Sequence, residues 1–96
     1  MNLDNIINEV VKIITHFLPS DYKIFLFGSW AKNNALDTSD IDIAILGKTK
    51  VEWDKMVQIL NAKENIPTLR SIDIVDLNSK EENFKSNVLK YARPLI

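Results

Sequence analysis

Asp40 to Leu46 reads Asp-Ile-Asp-Ile-Ala-Ile-Leu, with isoleucine at every second position. Successive side chains of a β-strand point to opposite faces, so this alternation predicts a strand. Ile41, Ile43 and Ile45 share one face, and Asp40, Asp42 and Ala44 share the other. The isoleucine face has to be covered by apolar packing. The opposite face presents two carboxylates side by side at its start. Gly47 ends the strand. Any fold open to this chain must bury the isoleucines and leave the aspartates reachable.

The rest of the chain supplies the cover. Ile6, Ile7, Val10, Val11, Ile13, Ile14, Phe17 and Leu18 recur at helical spacing, with Asp4 near the start and Pro19 as a stop. Lys23 to Phe27 is short, apolar and followed by Gly-Ser, which suits a buried strand. Ser29 to Lys32 begins a short helix, and Asn33 to Ser39 is a polar loop. Thr49 to about Glu64 is the next helix, with Val51, Met56, Val57, Ile59 and Leu60 inward. Arg70 to Leu77 is a third strand, with Ile72 and Ile74 on one face and Asp73 and Val75 on the other. Ser79 is the expected N-cap of a last helix that turns Phe84, Val88, Leu89 and Tyr91 inward and stops at Pro94. The order is α-β-α-β-α-β-α. It predicts a single α/β (α+β) domain over 1–96, with helices packed on a small mixed sheet of about three strands.

Composition narrows the function classes. There is no cysteine, which excludes disulfides, thiolate metal sites and a cysteine nucleophile. Twelve Lys and Arg against 13 Asp and Glu leave a net charge of −1. Direct binding of long nucleic acid is therefore not expected, since no basic excess replaces counterions. No run approaches the ~20 apolar residues of a membrane span. The N-terminal residues lack a basic stretch and do not read as a signal peptide. The expected location is the cytoplasm, where ATP and Mg²⁺ are available. A domain this small covers its core only marginally, so some apolar surface is expected against a partner chain.

The chemistry lies in Phe27 to Ile45. Gly28-Ser29 is followed by ten residues and then by Asp40-Ile41-Asp42. Two ionised carboxylates on one strand face repel each other and call for a cation. Mg²⁺ commonly uses one or two carboxylates together with substrate phosphates. Gly28 lets backbone approach a phosphate, Ser29 adds a hydroxyl donor, and the helix start adds amides. Asp73, on the next strand, points to the same face as Asp42 if the two strands are neighbours. Three acids on two strands suit two metal ions, an arrangement that activates an attacking oxygen and stabilises a leaving one. The candidate metal ligands and catalytic residues are thus Asp40, Asp42 and Asp73. The candidate nucleotide contacts are Gly28, Ser29 and Lys32, with solvated surface as the alternative for Lys32.

These motifs, taken in order along the whole chain, resemble the polymerase-β-like nucleotidyltransferase superfamily, and within it the minimal nucleotidyltransferase (MNT) domains. The resemblance implies that superfamily's fold, triphosphate binding by Gly28 and Ser29, Mg²⁺ binding by Asp40 and Asp42, and completion of the site by Asp73. It also implies an antitoxin that pairs with a small helical toxin of the HEPT type and transfers AMP from ATP to a tyrosine hydroxyl of it. The chain's length favours a separate acceptor, because larger relatives carry an added substrate domain. Two positions depart from the pattern. Many relatives have Arg after Gly-Ser and a Gly a few residues later, where this chain has Trp30 and Asn33-Asn34. Asn tolerates left-handed backbone better than most residues. Those departures keep a second reading open, a silent subunit that neutralises its partner by contact. Transfer of a nucleotide to another acceptor is a third.

The remaining conspicuous residues read as structural. His16 sits where a cation favours a helix C-terminus. Trp30 either stacks on a base, meets a partner or packs at the rim of the core. Trp53 is expected on the inner face of its helix. Lys48 and Lys50 read as a solvated turn. Asp76 is three residues after Asp73, so alternation turns it to the opposite face and out of the site.

Overall fold

A computed structural model describes residues 1–96. The wide apolar stripe near the N-terminus forms α1 (Leu3–Phe17), which buries Ile6, Ile7, Val10 and Ile14. Asn2 caps it, its side-chain oxygen accepting from the Asn5 N–H at 2.8 Å. That satisfies one of the amides a helix start leaves free. The chain continues through β1 (Lys23–Phe27), α2 (Gly28–Ala31), β2 (Ile41–Leu46), α3 (Trp53–Lys63) and β3 (Ile72–Asp76). A 3-10 turn (Leu77–Ser79) leads to α4 (Glu82–Tyr91) and β4 (Arg93–Pro94). No helix is long and apolar enough to cross a membrane.

The sheet is mixed and has the order β3-β2-β1-β4. β1 runs antiparallel to both β2 and β4, and β2 runs parallel to β3. The expected α-β-α-β-α-β-α order holds, with β4 as a fourth strand that the sequence reading omitted. Pro94, expected only as a helix stop, lies opposite Phe25 on the sheet edge. Proline is tolerated there because an edge residue need not donate to a further strand.

Both faces of the sheet are covered, unequally. Ile24 and Leu26 of β1, Ile41, Ile43 and Ile45 of β2, and Ile72 and Ile74 of β3 point to one side, where α1 and α3 pack. This is the main core. Phe27, Ala44, Leu77 and Val88 form a smaller cluster on the other side, under α4. Asp42 and Asp73 belong to this second face by alternation. They lie at the end where β2 and β3 begin, just past the edge of the small cluster.

Several packing expectations fail for local reasons. Trp53 is 78 % exposed, because it begins α3 on the solvent side. The helix starts there and not at Thr49. The Val51 N–H is instead taken by the buried Asp76 carboxylate at 2.7 Å, which holds the entry extended. Ser79 does not cap α4. Its hydroxyl donates to the Asp76 carbonyl at 2.7 Å within the 3-10 turn, and Glu81 precedes the helix without a side-chain bond. On α4 only Val88 is fully buried; Phe84 packs edge-to-face on Phe27 at 6.3 Å while remaining partly exposed, and Leu89 lies at the margin.

Candidate active site

Register brings the motif together. Phe27 lies opposite Asp42 across the β1–β2 pair, and Asp42 lies opposite Asp73 across the β2–β3 pair. The residue after Phe27, Gly28, therefore arrives directly beside Asp42. It adopts φ +71°, a left-handed conformation that glycine reaches freely. A Cβ built on Gly28 would lie 2.1 Å from Asp42 Oδ2, far inside contact distance. The backbone of the turn thus rests on the carboxylate, and no other residue type fits there without displacing it.

Asp42 is the centre of the acidic group. It is half-buried, while Asp40 and Asp73 are exposed. Desolvation, the charges of Asp73 and Asp40, and a hydrogen bond with Asp73 push its pKa from 3.8 up to about 6. A cation would relieve the repulsion among carboxylates this close together. Asp40 stands one residue ahead of β2 and acts on Asp42 through its charge. The three acids do not converge into a single closed ligand set. Asp42 and Asp73 lie opposite each other across the β2–β3 pair, with Asp40 beside Asp42. Asp76 is outside the site, as alternation predicted. It is buried on the other face and accepts from the Val51 and Asn78 amides.

The candidate nucleotide-binding turn is shorter than the sequence suggests. α2 is a single turn of four residues, so it offers little helix dipole. Its first amide, Gly28 N–H, donates to the Tyr91 hydroxyl at 3.2 Å. Lys32 is exposed, and its ammonium lies 4.5 Å from the centre of the Tyr91 ring. Asn33 has φ +61° and is the one non-glycine residue with positive φ, so it serves the left-handed turn. Trp30 braces the loop that returns to Asp40: its indole N–H donates to the Ser39 carbonyl at 3.2 Å. Arg70 lies 5.4 Å from the Trp30 ring and donates to the Asp37 carbonyl. Trp30 is therefore a structural brace in this fold.

Two open clefts flank the acids. One, of about 800 Å³, runs between Asp40 and the segment Pro67–Ser71. The other, of about 400 Å³, reaches Asp73 between Lys63 and Ser71. Arg70 lines both. From the sequence, Arg70 is expected only as the start of a strand and Tyr91 only as an inward residue of the last helix, neither at the site. Arg70 sits three residues before Asp73, a closeness that pointed to it; nothing local pointed to Tyr91.

Comparisons agree with this geometry. Residues 8–96 match the family described as polymerase beta, nucleotidyltransferase. The protein adenylyltransferase MntA of Shewanella oneidensis is 29% identical over 92 residues, which are 92% of this chain and 63% of that protein. This chain thus spans less than two thirds of that relative's length. A toxin-antitoxin crystal structure with AMP-PNP contains a chain that is 26% identical, with a TM-score of 0.68 over 93% of this chain and 71% of that one. A third relative comes from the complex of a tri-AMPylated Shewanella oneidensis HEPN toxin with its MNT antitoxin. At 22% identity it shows the fold alone, with a TM-score of 0.71 over 97% of this chain and 71% of that chain. A match across nearly the whole sequence, on a fold that sets Gly28 against Asp42 and Asp42 against Asp73, places this chain in the polymerase-beta nucleotidyltransferase family.

Proposed function

We propose that this domain is an Mg²⁺-dependent adenylyltransferase that moves AMP from ATP to a tyrosine hydroxyl of a helical partner toxin, and so acts as its antitoxin. The observation that carries the proposal is the register that aligns Gly28, Asp42 and Asp73 across three strands. The relatives support the acceptor class, since one is named a protein adenylyltransferase and another comes from a complex with an AMPylated HEPN toxin. The working unit is then a hetero-oligomer with that toxin, in the cytoplasm.

The donor set fits the metal. Asp40 and Asp42 would hold the Mg²⁺ that carries the triphosphate: burial and the charges of Asp73 and Asp40 raise the pKa of Asp42 to about 6, a strain that a cation there would relieve. A two-carboxylate pair completed by phosphate oxygens is the usual way Mg²⁺ is held. Asp73 would serve a second ion, on the acceptor side. When bound, the metal neutralises phosphate charge and acts as a Lewis acid on the reacting oxygens.

The chain's own residues then divide the work. Gly28 brings the backbone to the phosphates, Ser29 donates its hydroxyl, and Lys32 supplies a positive charge. Asp73, exposed at the start of β3, faces the cleft from which an acceptor enters. It orients the acceptor hydroxyl and takes up its proton as general base. A tyrosine hydroxyl, with a pKa of about 10, needs such help at neutral pH. The new O–P bond forms on the α-phosphorus as the bond to pyrophosphate breaks.

Asp73→Asn tests the assignment. The substitution keeps the shape and removes the charge. Mg²⁺–ATP affinity and the complex with the toxin should stay near wild type, while AMP transfer should fall by about 10²-fold or more, the lower range for general-base loss. Calorimetry and mass spectrometry of the toxin read the two halves. Transfer at the wild-type rate would remove Asp73 from the chemistry.

A further inference from the structure

Tyr91 is absent from every expectation drawn from the motif, yet its hydroxyl lies at the centre of the nucleotide turn. It accepts the Gly28 N–H at 3.2 Å, from the residue whose backbone rests on Asp42. A phenolic hydroxyl has one proton to donate as well as lone pairs to accept with. The bond to Gly28 uses a lone pair, and the fold gives the proton no acceptor of its own. The ring is held in place independently. It packs at the edge of both apolar clusters, and the Lys32 ammonium lies over it at 4.5 Å. Beyond it, the Arg93 guanidinium donates to the Asn33 side chain, which ties β4 to the turn after α2.

From this we infer that Tyr91 is a phosphate-binding residue: its hydroxyl, anchored by the Gly28 amide, donates its proton to the phosphate tail beside Ser29 and Lys32. The inference rests on the triphosphate reading above. Accepting a hydrogen bond polarises the hydroxyl and makes it a better donor. An acceptor that carries charge strengthens the bond further. The neighbouring Lys32 ammonium draws the same anion. The arrangement also replaces in function what the short α2 lacks, since a single helical turn has little dipole to offer.

Tyr91→Phe removes the hydroxyl and keeps the ring. Its affinity for Mg²⁺–ATP and for Mg²⁺–tripolyphosphate should fall by the same factor, about tenfold, the loss expected for a hydrogen bond to a charged group. Equal affinity of Tyr91→Phe and wild type for both probes overturns the inference and leaves the triphosphate reading intact. So does a loss for ATP with none for tripolyphosphate, which would move Tyr91 to the nucleoside. Wild type that binds neither probe overturns the inference and the triphosphate reading together. A second measurement needs no substitution. With ¹³C-labelled tyrosine, the Tyr91 Cζ resonance of the wild type should move on adding Mg²⁺–tripolyphosphate. That of Tyr22, which donates to the Thr49 carbonyl away from the site, should not. A Tyr91 resonance that stays fixed in a protein saturated with the probe rules the contact out.

Discussion

Gly28→Ala should destroy activity in a protein that still folds. Two costs combine at this position. The first is conformational: at φ +71° an added Cβ meets the following carbonyl, at about 1–2 kcal/mol. A domain with the usual stability of about 5–15 kcal/mol survives that. The second falls on the site. The new methyl group would lie 2.1 Å from Asp42 Oδ2 and 2.9 Å from Cγ, so either the turn or the carboxylate must move by roughly an ångström. Displacements of that size at reacting groups cost on the order of 10²-fold in rate. The Gly28 amide would also turn away from Tyr91. Circular dichroism should therefore show a folded protein with a modestly lowered melting temperature, and transfer should be at least two orders of magnitude slower. A variant with normal transfer would mean that the contact between turn and carboxylate is incidental.

Asp42 should make the metal-free protein less stable as pH rises. Its folded pKa is raised to about 6 from 3.8, so between those values the folded state holds more protons than the unfolded one. Stability from this group is then present below about pH 4, declines as pH rises toward 6, and is flat above. In the proposed site Mg²⁺ would bind deprotonated Asp42, so the rise in melting temperature it gives should be small at pH 5 and larger at pH 7. Asp42→Asn removes the titrating group and the repulsion together. Relative to wild type it should melt higher without metal at pH 7, lose that slope between pH 4 and 6, and show no response to Mg²⁺. Even outer partners of metal ligands are worth about 10–100-fold in affinity. Loss of a direct ligand should exceed this in Mg²⁺-dependent ATP binding. Melts over a pH series, each with and without millimolar Mg²⁺, check the set. An Asp42→Asn protein that still responds to Mg²⁺ like wild type would place the metal elsewhere.

The chemistry was more legible in the sequence than the packing around it. Asp40, Asp42 and Asp73 could be placed because strand alternation is a strong local rule, and the same rule excluded Asp76. The neighbour relation of β2 and β3, on which Asp73 depends, was a condition there and is met in the fold. Asn33 was legible for a local reason too, as the residue able to take the left-handed turn. What local rules do not carry was missed. β4 is two residues long and contains a proline, so no periodicity announces it. Trp53 and Leu89 are apolar residues on helix faces that the small sheet does not cover. Tyr91 reaches Gly28 across 63 positions of sequence, through the docking of α4 on the sheet. The three acids looked equivalent in the sequence, whereas burial and register make Asp42 the central one.

The most direct test of the proposed activity is the mass of the toxin. The wild-type domain, ATP and Mg²⁺ should be incubated with the proposed helical partner toxin, and the toxin's intact mass and toxicity followed together. AMP added to a tyrosine of the toxin, in step with its loss of toxicity and dependent on Mg²⁺, is the expected result. A toxin that is neutralised while its mass stays unchanged would contradict the account and make this chain a subunit that acts by contact alone.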